Sequence, residues 1–412
     1  MKIVVLTADA NTLIYHRGDL IRDFAGCGCE VVTSAAEDYP HVRAFVESLG
    51  GRHRAIRMVR SRVNLLSDID TFIDMWRLFR SERPDALFAY TIKSVVYGCV
   101  VAAFAGVPRI YALLPGLGFT FVKPETLKQK LVSAVSRWLH RFALKRADVI
   151  FMQNEDDHRL LTELKILPAG VPAHVTAGSG VNVDEYPFVP LANDPAIVEG
   201  KVRFVLVSRL LISKGVAVFA EAARRIRQRY PQAEFHLVGP FDPNPNRVPE
   251  EWVQKWVDEG LIQHHGMVRD VAGALRDKHV FVLPTWYREG VPHATLEALS
   301  MGKAIITTDS VGARECVELT PAGERQRAAG EPLRAGRNGF LVPTQNVDAV
   351  EAAMEHYMKH TDQIATHGRA SRDLAERVFD VKIVNALILR EMQLEPVPPR
   401  ETLTLKPVVA AV

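Results

Sequence analysis

Two glutamates separated by seven residues, Glu289 and Glu297, sit in a run whose neighbours can put them to chemical use. The run begins Pro284-Thr285-Trp286-Tyr287-Arg288-Glu289-Gly290-Val291-Pro292-His293-Ala294 and continues through Glu297 to Gly302. It reads as a buried strand that enters a turn at Glu289, Gly290 and Pro292 and becomes a helix near His293. Glu297 then lies one turn inside the helix, and both carboxylates can face one ligand at its N-terminus. Free amides and the helix dipole favour a diphosphate there. Glu289 suits sugar hydroxyls, and Glu297 suits both hydroxyls of a ribose. The plain alternative for Glu297 is a solvated helix carboxylate. Leu296, Ala298 and Leu299 around it are apolar, so an unpartnered charge at that position would be costly.

A second cluster is Ser208-Arg209-Leu210-Leu211-Ile212-Ser213-Lys214-Gly215. Arg209 offers a planar fork to phosphate oxygens and Lys214 a compact cation, while Gly215 lets the turn enter a helix. Two fixed cations beside a helix N-terminus can hold a diphosphate and neutralise it as it leaves. Taken alone, Arg209 and Lys214 are equally what an ordinary strand end carries.

The elements that must hold these clusters alternate along the chain. Candidate strands are Lys2–Thr7, Glu30–Thr33, Ala86–Tyr90, Arg109–Leu114, Val149–Gln153 and His174–Ala177. Amphipathic stretches such as Ile69–Arg80 and Leu127–Lys145 lie between them. The pattern restarts with strands Val202–Ser208, Glu234–Val238, Val280–Leu283, Ala304–Thr308 and Phe340–Val342, interleaved with helices such as Gly215–Arg229 and Val347–Lys359. Such alternation predicts an α/β protein of two doubly wound, Rossmann-like domains facing a cleft. The expected division is residues 1–184, a proline-bearing linker 185–200, a second domain 201–378, a helix 379–395 crossing back to the first domain, and a flexible tail 396–412. Residues 321–337 read as a polar loop. Ligands bind at the carboxyl ends of strands in such sheets, which is where both clusters fall.

Composition narrows the function. The chain has 412 residues, 51 basic and 48 acidic, a balance too even for a nucleic-acid coat. Its length suits two cores. Cys27, Cys29, Cys99 and Cys316 match no zinc spacing and no CxxC pair. No stretch approaches a membrane span, and Met1 leads into an apolar run without a basic leader, so a cytoplasmic location is expected. Asp68-Ile69-Asp70 has the look of a metal-binding Asp-x-Asp, but it precedes an amphipathic helix, where acids complement the dipole. No metal and no cofactor is expected.

The frame Pro-…-Glu-Gly-x-Pro-…-Leu-Glu-Ala-…-Gly, with Arg209 and Lys214-Gly215 before it, resembles the family 4 (group 1) glycosyltransferases of the GT-B fold. Val311–Val317 and Arg337-Asn338-Gly339-Phe340-Leu341-Val342 fall in the family's order, and Gly178–Asp184 resembles its hinge approach. The resemblance implies a retaining, metal-independent transferase acting on a nucleotide-diphosphate sugar, UDP-linked. It places Arg209 and Lys214 on the leaving diphosphate, Glu289 on the donor sugar and Glu297 on the ribose. The amides of Gly290, Val291, Pro292-His293 and Ala294 would hold sugar hydroxyls and phosphate, and Gly266 to Arg269, with Val268, the base.

The first half departs from the family pattern. The glycine-rich loop after the first strand is reduced to Gly18 beside Arg17, and Leu114–Phe119 carries Gly116 and Gly118 but no histidine, which puts any histidine-dependent step in doubt. Tyr90–Gly98, Gly106-Val107-Pro108-Arg109 and Gly116-Leu117-Gly118 resemble a branch that adds N-acetylgalactosamine to a bacillosamine linked through diphosphate to undecaprenol. Thr91 and Lys93 then read either as acceptor contacts or as a simple polar turn. Arg52, Arg54, Arg57, Arg60 and Arg62 read as a solvated loop or as phosphate ligands. Leu127, Leu131, Val135, Trp138, Leu139 and Phe142, flanked by Lys123, Lys128, Lys130, Arg137, Arg141, Lys145 and Arg146, form a stripe that suits a core or a membrane interface. The expected partners are thus a nucleotide-sugar donor, a lipid-linked glycan acceptor and a peripheral membrane surface at the inner face of the cell membrane, with no nucleic acid. A GT-B epimerase is the alternative. A dinucleotide oxidoreductase would need a G-x-G-x-x-G that the chain lacks after a strand.

Overall fold

The computed structural model describes residues 1–58, 65–117, 126–191 and 194–395. Arg60, Arg62, Gly118, Lys123 and the 396–412 segment lie outside the described residues.

The first sheet comprises β1 (Lys2–Leu6), β2 (Glu30–Ala35), β3 (Arg52–Ala55), β4 (Ala86–Tyr90), β5 (Arg109–Leu114), β6 (Val149–Met152) and β7 (Ala173–Val175). All pair in parallel, in the order β3-β2-β1-β4-β5-β6-β7. Each inner strand is apolar on both faces, as a sheet covered on both sides requires. The pleat sorts the residues: Val4, Leu6, Leu87 and Ala89 enter one core cluster, and Ile3, Val5, Ala86 and Phe88 the other.

The second sheet comprises β8 (Arg203–Val207), β9 (Glu234–Val238), β10 (Gln263–His264), β11 (Val280–Leu283), β12 (Ala304–Thr308), β13 (Arg334–Ala335) and β14 (Gly339–Val342). Its order is β10-β9-β8-β11-β12-β14-β13, parallel except for β13 at the edge. This is the GT-B architecture. Strand order reverses between β1 and β4 in one sheet and between β8 and β11 in the other. Those two switch points open crevices at the carboxyl ends of the strands.

Three features differ from the sequence reading. The arginines at 52 and 54 belong to β3, and Arg57 follows it. Arg52 donates to Glu30 (2.6 Å) and Glu82 (3.1 Å), Arg54 to Glu82 (3.2 Å), and Arg57 to Asp74 (2.8 Å). These three cations are already paired with acids. Residues 321–337 are not a simple loop. They hold the Pro321–Ala328 helix, with Thr320 capping the Gly323 amide, and then β13. Third, the 185–200 segment sends Leu191 and Ile197 into the second core and Tyr186 into the cleft.

Two strands of chain join the halves. Val181 donates its amide to the Phe379 carbonyl (2.8 Å), and Val381 donates to the Val181 carbonyl (3.0 Å). The π-helical turn Ala375–Phe379 leads into this crossing. Beyond it the Val381–Glu391 helix packs Val384, Ile388 and Leu389 into the core cluster of the first sheet. Asn385 donates to Asp23 there (2.7 Å).

Candidate active site

The loops after β8 and β11 are tied together before any ligand is considered. The Ser213 carbonyl accepts from the Trp286 amide (2.8 Å), the Tyr287 amide (3.1 Å) and the Thr285 hydroxyl (3.1 Å). Gly215 has a φ of +79°, and a Cβ on it would collide with the Pro284 carbonyl. Only glycine allows that approach, which brings the buried Lys214 to Glu289. The Lys214 ammonium donates to Glu289 Oε1. Lys214 Nζ also lies 5.3 Å from the centre of the Tyr287 ring.

Pro292 begins the His293–Ser300 helix, whose N-terminus opens on the cleft. Glu297 is buried, and its Oε1 accepts from the Tyr186 hydroxyl (2.8 Å) and lies 3.1 Å from His293 Nδ1. One carboxylate oxygen is thus held by the protein, which fixes the orientation of the other. Arg209 is half exposed in the same cleft and donates to Asp242 (2.9 Å). The cleft has a volume of about 500 Å³ and takes in Gly18, Val268, Arg269, Ala294 and Glu297. Gly266 lies just outside it, accepting from the Gly239 amide (2.8 Å) and anchoring the Met267–Arg269 wall.

The first domain closes against this arrangement. A Cβ on Gly116 would stand 2.6 Å from the Gly290 nitrogen. Asn154 donates to the Glu289 carbonyl (3.3 Å), and Arg288 donates to the buried Asp157 (2.6 Å). Arg314 pairs with Asp156. Asn154 also caps the Glu155–Glu163 helix, so the residue that starts the helix aims its two acids at the second domain.

The comparisons with known proteins agree with this geometry. Residues 201–360 match the family "Glycosyl transferases group 1", and residues 15–175 match the "Glycosyl transferase 4-like domain". The chain belongs to the group 1 glycosyltransferases. The transferase is 26% identical over 317 residues to the Campylobacter jejuni N,N'-diacetylbacillosaminyl-diphospho-undecaprenol alpha-1,3-N-acetylgalactosaminyltransferase, covering 75% of this chain and 80% of that one. It is 29% identical over 297 residues to the Escherichia coli UDP-Gal:alpha-D-GlcNAc-diphosphoundecaprenol alpha-1,3-galactosyltransferase, covering 70% of each. In fold it is similar to Anabaena HepE in complex with UDP and glucose, at a TM-score of 0.72 and 16% identity, covering 95% of this chain and 99% of that one.

Within the transferase, Arg209, Lys214, Glu289, Glu297 and the Gly290–Ala294 turn come together at the second switch point. Val291 is buried against Gly178, so only its backbone is available to a ligand. On the other side, Arg17 and Gly18 follow β1, Thr91 ends β4 and Gly116 follows β5. Thr91 has a φ of +71°, a conformation that a β-branched residue rarely adopts and that clusters at working sites. Its hydroxyl accepts from the Ala8 amide (3.2 Å) and donates to Ser94 (3.1 Å). Lys93 turns away to Asp68 (2.7 Å), whose other oxygen accepts from Tyr97 (3.0 Å). Asp70 pairs with Arg57 (3.1 Å), so the Asp-x-Asp carboxylates serve two different partners. Among the described residues no group of three or more potential metal ligands occurs.

Sequence reasoning missed four contributors to the cleft and its closure: His16, Asn154, Asp157 and Tyr186. His16 adjoins Arg17 and Gly18 and was within reach of a reading by neighbourhood. Tyr186 and the two helix-start residues meet their partners only through the fold, at separations above 100 residues.

Proposed function

We propose that the chain is a retaining, metal-independent transferase that moves a hexose or N-acetylhexosamine from a UDP-sugar to a polyprenyl-diphosphate-linked acceptor in bacterial polysaccharide or glycoconjugate assembly. The observation that carries the reading is the Lys214–Glu289 pair just ahead of the His293–Ser300 helix, with Arg209 in the cleft on which that helix N-terminus opens. Arg209 and Lys214 neutralise the departing diphosphate, the role a divalent ion has in other transferases. Glu289 addresses the donor sugar and Glu297 the ribose. The backbone at Gly290 to Ala294 holds sugar hydroxyls and phosphate, and the Gly266–Arg269 segment receives the base.

Acceptor and stereochemistry rest on the relatives. Both relatives are named for alpha-1,3 transfer onto diphospho-undecaprenol carriers. An α-linked nucleotide sugar that gives an α product keeps its configuration. Arg17, Thr91 and Gly116 flank the acceptor side, and the division at the 185–200 segment follows the two sheets. A lipid-linked acceptor also calls for work at a bilayer surface. No helix among the described residues is long and apolar enough to cross a membrane. The Leu127–Leu144 helix exposes Leu131, Val135 and Trp138, and the Leu65–Glu82 helix exposes Ile69, Phe72, Ile73 and Trp76. Both pack on the Ile92–Ala105 helix, and apolar side chains beside Lys130 and Arg137 suit the headgroup region of an anionic leaflet.

The deciding experiment incubates purified protein with UDP-, GDP- and ADP-sugars, with and without an undecaprenyl-diphosphate-linked N-acetylhexosamine. The expected result is release of UDP that depends on the acceptor, with the sugar recovered in the lipid product. Conversion of the donor to an isomeric nucleotide sugar without acceptor would establish an epimerase instead.

A further inference from the structure

The first domain brings to the cleft a histidine that neither family matches nor sequence motifs single out. His16 follows β1, ahead of the Gly18–Gly26 helix, and its ring is exposed to the cleft. Its centroid lies 4.9 Å from that of His293, edge to face, so the two rings meet across the domains. No hydrogen-bond partner occupies the His16 ring among the described residues.

Its surroundings are cationic. Arg17 is next in the chain and is buried, with Nε and Nη1 lacking any hydrogen-bond partner. Arg17 has no ion pair among the described residues, and its guanidinium carbon lies 5.7 Å from the centre of the Tyr90 ring. Burial lowers it to about 10, which still leaves it charged at neutral pH. A buried cation without a counter-ion is costly unless a ligand supplies the anion. From the second domain, Arg209 and His293 face His16. The nearby carboxylates are engaged elsewhere: Asp19 by Arg22, Asp242 by Arg209, and Glu297 by Tyr186 and His293. Glu185 and Arg269 line the same cleft. The Arg17 and Arg209 guanidiniums and the His293 ring beside it disfavour a further proton on the His16 imidazole while the cleft is empty.

We propose that His16 is a contact of the first domain to the donor's diphosphate and takes up a proton from solvent when a nucleoside diphosphate binds. This rests on the nucleotide-sugar reading above and adds to it a charge change on binding. The diphosphate enters between His16, Arg209 and the His293–Ser300 helix N-terminus, which line the cleft, and brings an anion into the field of the neighbouring Arg17. The field at His16 then changes sign, and the imidazolium becomes the favoured form. Once the sugar has left, a protonated His16 adds positive charge on the first-domain side of the free diphosphate.

The test is calorimetric titration with UDP and with GDP at about pH 7, in two buffers of different protonation enthalpy. The wild-type protein is expected to take up a fraction of a proton per diphosphate bound. His16→Gln keeps a hydrogen-bonding side chain that does not titrate in this range; it should bind within about ten-fold and lose that uptake. The terminal phosphate of UDP itself titrates near pH ~6, but equally for both proteins, so the difference between them reads His16. With UMP, which lacks the second phosphate, the wild-type uptake should shrink. Equal uptake by wild type and His16→Gln overturns the proposal, as does an unchanged UDP affinity in His16→Ala. Failure of wild type to bind either diphosphate overturns the nucleotide-sugar reading and this proposal with it, whereas tight binding without proton uptake overturns this proposal alone.

Discussion

Gly116 and Gly290 meet backbone to backbone across the two domains, and neither has room for a side chain facing the other. A Cβ on Gly116 would lie 2.6 Å from the Gly290 nitrogen and 2.8 Å from the Glu289 carbonyl carbon; one on Gly290 would strike the Pro115 carbonyl. Gly116 also has a φ of +142°. Any residue added there pushes the Glu289 peptide away from the first domain. Gly116→Ala should therefore lower turnover by roughly 10²-fold, since small displacements at a reacting centre have effects of that order. Thermal unfolding should change little, because the contact joins two domains that each keep their own core. An unaltered turnover would mean that the catalytic geometry does not depend on this closure.

Glu289→Gln should cut turnover sharply and leave UDP affinity within a few-fold. In the proposed role the carboxylate acts mainly as positive charge develops on the donor sugar, which is a transition-state effect. Arg209→Ala should slow transfer as well, by about 10²-fold, through loss of charge facing the leaving diphosphate. Activity of the wild type should persist in excess EDTA. Loss on chelation, restored by magnesium or manganese, would refute metal independence.

Tyr186→Phe removes the hydroxyl that donates to Glu297 and nothing else. A single hydrogen bond of this kind contributes about 1 kcal/mol, or roughly five-fold in an equilibrium constant. The donor KM should rise by about that factor with kcat nearly unchanged. A fall in kcat with an unchanged KM would move Glu297 from ribose binding to the chemical step.

Much of the fold was legible because each inner strand is a short apolar run between helical patterns. Strand β3 was not, since Arg-His-Arg-Ala has no apolar alternation; at the sheet edge its arginines find Glu30 and Glu82 instead of a core. The Pro321–Ala328 helix carries no large apolar side chain, so it too lacks an apolar pattern to read. On the second-domain side, the site could be read because Arg209, Lys214, Glu289 and Glu297 each lie in one local segment after a strand. The first-domain side was harder. Its contributions are single residues from separate loops, and Lys93 reads as an open cation until the fold supplies Asp68.

Vesicle co-sedimentation should separate the membrane reading from a plain protein surface. Leu131→Ser with Trp138→Ala alters exposed positions, so stability should change by no more than about 0.5 kcal/mol. Binding to anionic vesicles should nevertheless fall several-fold, while hydrolysis of the nucleotide sugar, whose proposed site lies mostly in the second domain, is spared. High salt should weaken the wild type as well, because exposed charges are screened within ~3 Å near 1 M. Equal pelleting of both proteins at low salt would leave that helix without a lipid role.

The paired crossing at Val181 and Val381 sets the mechanics of opening. A single tether would let one domain swivel about its own axis, and the loops carrying Arg17 and Thr91 could then meet the Glu289 turn in any azimuth. Two chain segments hydrogen-bonded side by side behave as a leaf hinge: stiff to twist and to slide, compliant to bending in one plane. Such a crossing favours bending in one plane over twist. The register in which Gly116 meets the Glu289–Gly290 peptide is thus held by the crossing as well as by the contact itself.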